Sequence, residues 1–438
     1  MKVQWYRSTT LVEEQTYNVD SALYFCDTQV ASFNRVVITI GNMTKPNRFL
    51  KIFNIADGIT RQFYNDELEN VEIIEEITNN NQAININEAD LTILPQNNTG
   101  VQFQRTLPFS LYRNDELYGR FFIDKSTSNS DKTLYKIDVK DYIKTLDEQT
   151  YLGGIYSTKQ VSSLIADILG SIPYSLDSSF NNVYVSGYLP ILTKREALRQ
   201  VAFIINAYVD TSRADVINIK PFSNAITRAL SKGEVMYNNT TQSNIVTKME
   251  LETTLLTQQN AEADEIFNEV LTGTQTIIFD SPKFNLSITG GTIDSSNCNY
   301  AIISSTGNNV VLTGKTYEQY TKIKTKTNDR AVSTDIENIQ KYETTLTCNT
   351  FDILDKLKFT EYTVQSKFKM DNTKVGDLVN IDHMTCRVSQ LSYDLKQTNI
   401  YADAQLERFY IEVGDLDIIT EAGVDLTTEN NIVLEAEE

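Results

Sequence analysis

One histidine, His383, in a chain of 438 residues limits how much chemistry this sequence can do. Ser-His-Asp or Cys-His catalysis would have to use it, and neither a GxSxG elbow nor a papain-like cysteine context accompanies it. A zinc site built on several imidazoles is excluded by count. Cys26, Cys298, Cys348 and Cys386 stand far apart, with neither CxxC nor zinc spacing, as expected of free, buried thiols in a reducing cytosol. Carboxylate chemistry remains. Glycoside hydrolysis needs two acids across one sugar bond, and 58 Asp and Glu residues make chance pairs unavoidable. Glu72, Glu75 and Glu76, set around Ile73, Ile74 and Ile77, have the pattern of a solvated face. Gly153-Gly154 and Gly290-Gly291 lack the surroundings of a phosphate loop or dinucleotide fingerprint. Asp377 and Asp382 lie near one turn without the further oxygen ligands calcium needs. His383 reads as a turn or surface residue. No catalytic, cofactor-binding or metal-ligating residue is assigned, and a non-enzymatic protein is the expectation.

The elements that would position such residues read mainly as strands. Val36–Ile40 is a β-branched run, and Phe109–Arg113 precedes the turn-forming Asn114-Asp115 and a second run, Leu117–Ile123. Tyr135–Val139 alternates apolar and polar residues. The pattern changes after Gly153-Gly154. Ser157-Thr158-Lys159-Gln160 and Thr193-Lys194-Arg195-Glu196 each have the spacing of a capping box. The first predicts a helix carrying Val161, Leu164, Ile165, Ile168 and Leu169 and closed by Gly170; the second predicts one carrying Ala197, Leu198, Val201, Ala202 and Ile205. Tyr208–Asp210 and Val216–Ile219 read as flanking strands. Strands return at Ile245–Leu251, at Thr276–Phe279 and at Asn309–Lys315, the last read as ending on Gly314. A further helix is predicted over Phe351–Phe359. Val375-Gly376-Asp377 then turns into the strand Leu378–Ile381, with Arg387–Leu395 as its partner.

The formal charge of −19 argues against sequence-independent nucleic-acid binding, because so acidic a chain repels a phosphate backbone. Residues 411–438 carry nine acidic side chains and no Lys or Arg. They read either as a solvated tail or as a segment that orders by adding strands to a partner's sheet edge. Met1–Arg7 lacks the apolar stretch of a signal peptide, and no apolar run is long enough for a bilayer. Synthesis in the cytoplasm is therefore the expectation.

Seven segments stand out along the chain: Tyr112–Gly119, Asp141–Asp147, Tyr151–Tyr156, Leu192–Leu198, Asp210–Arg213, Leu312–Tyr317 and Val375–Asp377. In this order they resemble the baseplate hub proteins of contractile phage tails and phage-tail-like bacteriocins (tailocins). The resemblance implies a mainly β, multidomain hub with two tube-like β-barrel domains and a small α/β module between them. On that plan residues 1–150 form the first barrel, 151–225 the α/β module, 226–410 the second barrel with a β-rich insertion at about 265–325, and 411–438 an acidic extension. It also implies a homotrimer adapting a sixfold tail tube to a threefold spike. The implied partners are tube or tube-initiator subunits, the spike protein, and baseplate wedge and tape-measure proteins, with neither nucleic-acid specificity nor membrane insertion. After cytoplasmic synthesis the place implied is the extracellular particle. The alternatives are the central tip protein of a non-contractile tail, a cell-wall glycosidase and a glycan-binding adhesin. The 23 tyrosines lie scattered along the chain, as core packing places them, rather than clustered for an adhesin groove.

Overall fold

The computed structural model describes residues 1–19, 30, 33–41, 63–79, 82–95, 103, 108–131, 133–242, 245–260, 262–331, 336–381 and 384–409. Strands hold 58% of the described residues and helices 10%, so the fold is mainly β with a small α/β part. His383, Asp382, Cys26 and residues 411–438 lie outside the described residues.

The largest sheet draws on sequence from both ends. Its strands are β1 (Leu68–Glu76), β2 (Glu88–Ile93), β3 (Phe109–Arg113), β4 (Glu116–Ser128), β5 (Tyr135–Lys140), β6 (Ile226–Ala229), β7 (Val235–Thr241), β8 (Thr360–Lys369), β9 (Leu378–Ile381), β10 (Met384–Asp394) and β11 (Tyr401–Phe409). The main path runs β7-β8-β11-β10-β1-β2-β5-β4-β3, with β9 pairing both β6 and β10. The seam is β10 against β1, antiparallel from Gln390↔Glu76 to Asp394↔Glu72. One core serves both halves, from Ile73, Leu91 and Phe121 to Phe368, Val388 and Leu406. Period-two alternation produces it: every second residue of β2 and β5 is buried. β3 and β4 are joined by Asn114-Asp115, both at positive φ, the two-residue hairpin loop expected from that dipeptide.

Helices α1 (Tyr142–Asp147), α2 (Val161–Leu169) and α3 (Lys194–Ile204) sit beside two small sheets. One sheet is Gly154–Gln160, Tyr184–Leu189 and Leu346–Cys348; the other is Tyr174–Leu176, Ile217–Pro221 and Ala207–Asp210. The apolar stripes of α2 and α3 meet in a second core that also takes Met249, Leu251, Tyr342 and Leu346. At α3 the Thr193 hydroxyl accepts from the Glu196 amide at 3.2 Å. The Glu196 carboxylate turns to Arg199 instead of back to the cap. Gly170 closes α2 at φ 64°, a left-handed conformation that glycine adopts without strain.

Three local expectations are corrected. The box at Ser157 does not cap α2: Gly154–Gln160 is a strand paired with Tyr184–Leu189, and Gln160 stands at the N-cap without a side-chain bond. Sheet pairing there outcompetes capping. The helix read over Phe351–Phe359 is one turn, α4 (Ile353–Lys356), because Thr360 already belongs to β8. Gly314 does not end its strand, which runs from Tyr300 to Thr316. It makes room there, since a Cβ would lie 2.7 Å from the Leu286 side chain.

Residues 264–316 form a four-stranded sheet, Asp264–Ile278, Lys283–Thr289, Thr292–Ser296 and Tyr300–Thr316, with its own core around Ile303, Val310 and Leu312. Asn299 fixes it to the α/β part, donating to the Leu152 and Leu189 carbonyls at 2.8 and 2.9 Å and accepting from the Tyr188 hydroxyl at 2.9 Å. Gly153 lies under this contact at φ 63°, where a Cβ would meet the Leu189 carbonyl at 2.1 Å. A separate three-stranded sheet, Lys2–Arg7, Thr10–Thr16 and Arg35–Thr39, holds Val3, Trp5 and Tyr17 buried.

Candidate functional site

The alternation of β1 places Val71, Ile73 and Glu75 on the same, inward side. Glu75 is therefore buried, with 1% of its surface exposed, and is not part of the solvated face read from sequence. Its burial is made tolerable by two partners. The Tyr393 hydroxyl donates to Glu75 Oε1 at 2.8 Å, and Arg213 Nε lies 3.5 Å from the same oxygen. Arg213 reaches this point from a turn after Ala207–Asp210. There the Asp210 carboxylate accepts from the Ser212 amide at 2.7 Å, and Arg213 itself adopts φ 52°. Its guanidinium donates to the Thr373 carbonyl at 2.7 Å and lies over the rings of Tyr118 and Tyr393, 5.4 and 5.9 Å from their centroids.

A second buried carboxylate adjoins the first. Asp141 caps α1, with Oδ1 accepting from the Ile143 amide at 2.9 Å. Its Oδ2 accepts from the Asn87 amide at 2.9 Å and from the Thr211 hydroxyl. The Asn87 side chain donates to Thr211 at 2.9 Å and to Ser212 at 3.2 Å, and accepts from the Glu76 amide at 2.9 Å. On the far side Gly376 turns at φ 87° against the Tyr208 ring, and Asp377 accepts from the Lys374 amide at 2.8 Å. The segments that carry the sequence resemblance at Tyr118-Gly119, Asp141, Asp210–Arg213 and Gly376-Asp377 thus converge on one buried polar joint. It ties both halves of the large sheet to the α/β part.

Burial dominates the electrostatics. It pushes Glu75 up to about 7, against the opposing pull of Arg213 and the Tyr393 hydrogen bond. It pushes Asp141 up to about 7 despite the Thr211, Asn87 and Ile143 hydrogen bonds. Asp210 and Asp377 are raised for the same reason. For Arg213, burial acts to lower the pKa, and Glu75 with the two tyrosines more than reverses it. Among the described residues Glu75 Oε2 and Arg213 Nε have no hydrogen-bond partner. Among the described residues no group of three His, Cys, Asp or Glu is placed to hold a metal. The joint holds these chain segments together through buried polar contacts.

The outer face of the same sheet carries the other concentration of charge. Asp394, Glu72, Asp90 and Asp138 stand directly opposite one another across β10, β1, β2 and β5, with Lys125 of β4 at the end of the row. Burial, then Asp138, Glu72 and Glu88, push the Asp90 carboxyl up. A parallel row is neutral until its last member: Asn239, Gln365, Gln405, Gln390 and Glu76. Like charges directly opposite oppose pairing, so stability alone does not account for the acidic row.

Sequence reading placed Asp210, Arg213, Gly376 and Asp377 among the distinctive segments without finding what joins them. It missed Glu75 and Asn87. The signal for Glu75 was available, because it shares strand parity with Val71, Ile73 and Ile77. Cys298 and Cys386 are free and buried, and burial pushes both thiols up to about 11.

No family model and no curated protein matches the chain. Solved structures do. The likeness is to tail proteins. One is a tail protein from Neisseria meningitidis MC58, at 9% identity and TM-score 0.47, covering 78% of this chain and 92% of that one. Another is the prophage tail protein gp18 from Listeria monocytogenes EGD-e, at 11% identity and TM-score 0.44, covering 79% and 89%. A third is the E. coli c3393 protein, described as a type VI secretion component structurally similar to T4 bacteriophage tail proteins gp27 and gp5. It has 8% identity and TM-score 0.37, covering 79% and 74%.

Proposed function

We propose that this chain is a structural subunit of a phage tail or phage-tail-like particle: a baseplate hub that trimerises and adapts the tail tube above to a spike below. The observation that carries this reading is the eleven-stranded sheet. It pools strands from residues 68–140 and 226–409 into one surface whose inner side is a shared core and whose outer side carries rows of acids and amides. An acidic wall of this kind repels DNA and does not retain it, which suits a conduit. The path also ends in two strands, β7 and β3, that each pair on one side only among the described residues. Such edges suit lateral contact between copies. The joint at Glu75 and Arg213 would hold the two halves in fixed register while force passes through the particle.

On this reading the chain is not an enzyme, lytic activity belongs to another subunit, and the finished protein resides in the virion or particle baseplate. Co-expression with tube and spike subunits from the same gene neighbourhood, followed by electron microscopy of the purified complex, tests it. Three copies between tube and spike are expected. Clearing of purified peptidoglycan by the isolated chain, abolished by substitution of an acid, would replace the proposal with the glycosidase alternative.

A further inference from the structure

A local excess of positive charge stands out in a chain of net charge −19. The strand Glu318–Thr327 presents Lys322, Lys324 and Lys326 at two-residue spacing, and α4 with the residue pair after it adds Lys356 and Lys358. The two elements touch: Lys324 pairs with Asp352, and Lys326 donates to the Leu357 carbonyl at 3.0 Å. Lys324 and Lys326 thus meet the α4 region beside Asp352, with Lys322 on the same strand and Lys356 and Lys358 in and just after α4. Among the described residues this strand pairs only with Lys248–Thr257, so its other edge is open over ten residues. Tyr320 and Ile323 on it are 51% and 59% exposed. An open, exposed edge of this length invites pairing with another strand.

The chain's own course supplies an occupant. β11 ends at Phe409, in register with Thr360 of β8, two residues beyond Lys358. From Thr360 back to Leu357, where Lys326 is bound, is at most about 11 Å of chain. The segment that leaves from this point, 411–438, has nine acidic and no basic residues. It also has Ala422, Val424 and Leu426 at two-residue spacing and the short apolar run Ile432–Leu434. Its 28 residues can extend about 95 Å, while the ten-residue edge needs about 33 Å.

We propose that residues 411–438 lie along the open edge of Glu318–Thr327 in the same chain, as an added strand held by Lys322, Lys324, Lys326, Lys356 and Lys358. Acidic side chains then meet the lysines, apolar ones meet Tyr320 and Ile323, and the exposed edge is closed. This rests on charge and chain path, independently of the hub reading.

Hydrogen exchange of the intact chain tests it against two variants, one ending at Phe409 and one with the nine tail acids changed to their amides. Edge amides of Glu318–Thr327 should exchange at least about tenfold faster in both variants than in the intact chain. A synthetic peptide of residues 411–438 added to the truncated chain should restore protection, and about 0.5 M salt or Lys322→Glu with Lys358→Glu should remove it. Unchanged exchange on truncation would overturn the proposal, as would protection that survives neutralisation of the tail. Protection that grows with protein concentration would move the seat to a neighbouring copy and overturn the same-chain claim.

Discussion

Replacing Glu75 by Gln should flatten the pH dependence of stability between pH 4.5 and 7. Glu75 is buried and its carboxyl is raised from 4.5 to about 7. Between those values the folded chain holds a proton that the unfolded chain has lost, so stability falls as pH rises through that window. Below it both states are protonated, above it both are ionised, and the slope vanishes. The rise from 4.5 to about 7 corresponds to about 3 kcal/mol, an upper figure because neighbouring Asp210 titrates with it and the charged Arg213 relaxes around it. Glutamine keeps the volume and can still accept from Tyr393 but carries no proton to lose. Urea unfolding followed by circular dichroism at pH 5 and pH 8, on both proteins, isolates the term: the wild type should lose up to about 3 kcal/mol more than Glu75→Gln. Asp141 and Asp377 contribute in the same direction in both proteins and largely cancel in the comparison, whereas Asp210, coupled to Glu75, cancels only in part. Identical pH dependence in the two would refute the account of a burial-dominated Glu75.

Arg213→Ala leaves Glu75 buried without its cation and removes the bond to Thr373. The expected cost is about 3–5 kcal/mol by urea unfolding, and Lys at this position should recover little of it, having no planar fork to lie over Tyr118 and Tyr393. Gly376→Ala puts a Cβ 2.9 Å from the Tyr208 ring at φ 87°, which should cost about 1–3 kcal/mol and appear as a lowered thermal midpoint. Asn299→Ala strips the 264–316 sheet of its anchor on Leu152, Leu189 and Tyr188; limited proteolysis should cut faster at its borders while the large sheet keeps its melting midpoint. Asp90→Asn relieves repulsion from Glu72 and Asp138 and should stabilise by a few tenths of a kcal/mol, an effect that high salt erases.

Much of the fold was legible where a short-range rule governs it. β3, the Asn114-Asp115 loop, β5, the Thr193 cap and the Gly170 terminator follow from alternation, turn chemistry and capping. Failures came where pairing partners lie far along the chain. Ser157 had a helix cap's spacing, but a strand at Tyr184–Leu189 claimed its segment. Phe351–Phe359 had a helical stripe, but β8 began at Thr360. Glu75 shows the same limit at the candidate site. Its neighbours looked like a surface, and only Tyr393, Arg213 and the β10 seam, more than 130 residues away, make its burial tolerable. The convergence of Tyr118, Asp141, Arg213 and Gly376 is likewise a property of three-dimensional topology, which local pattern does not encode.

The central claim is that this chain is an assembly subunit working as a trimer, and its mass in solution tests that most directly. Light scattering on the intact protein across a range of concentrations should give three times the 49.7 kDa of one chain. A single-chain mass at every concentration, unchanged by co-expressed tube and spike subunits, would contradict it.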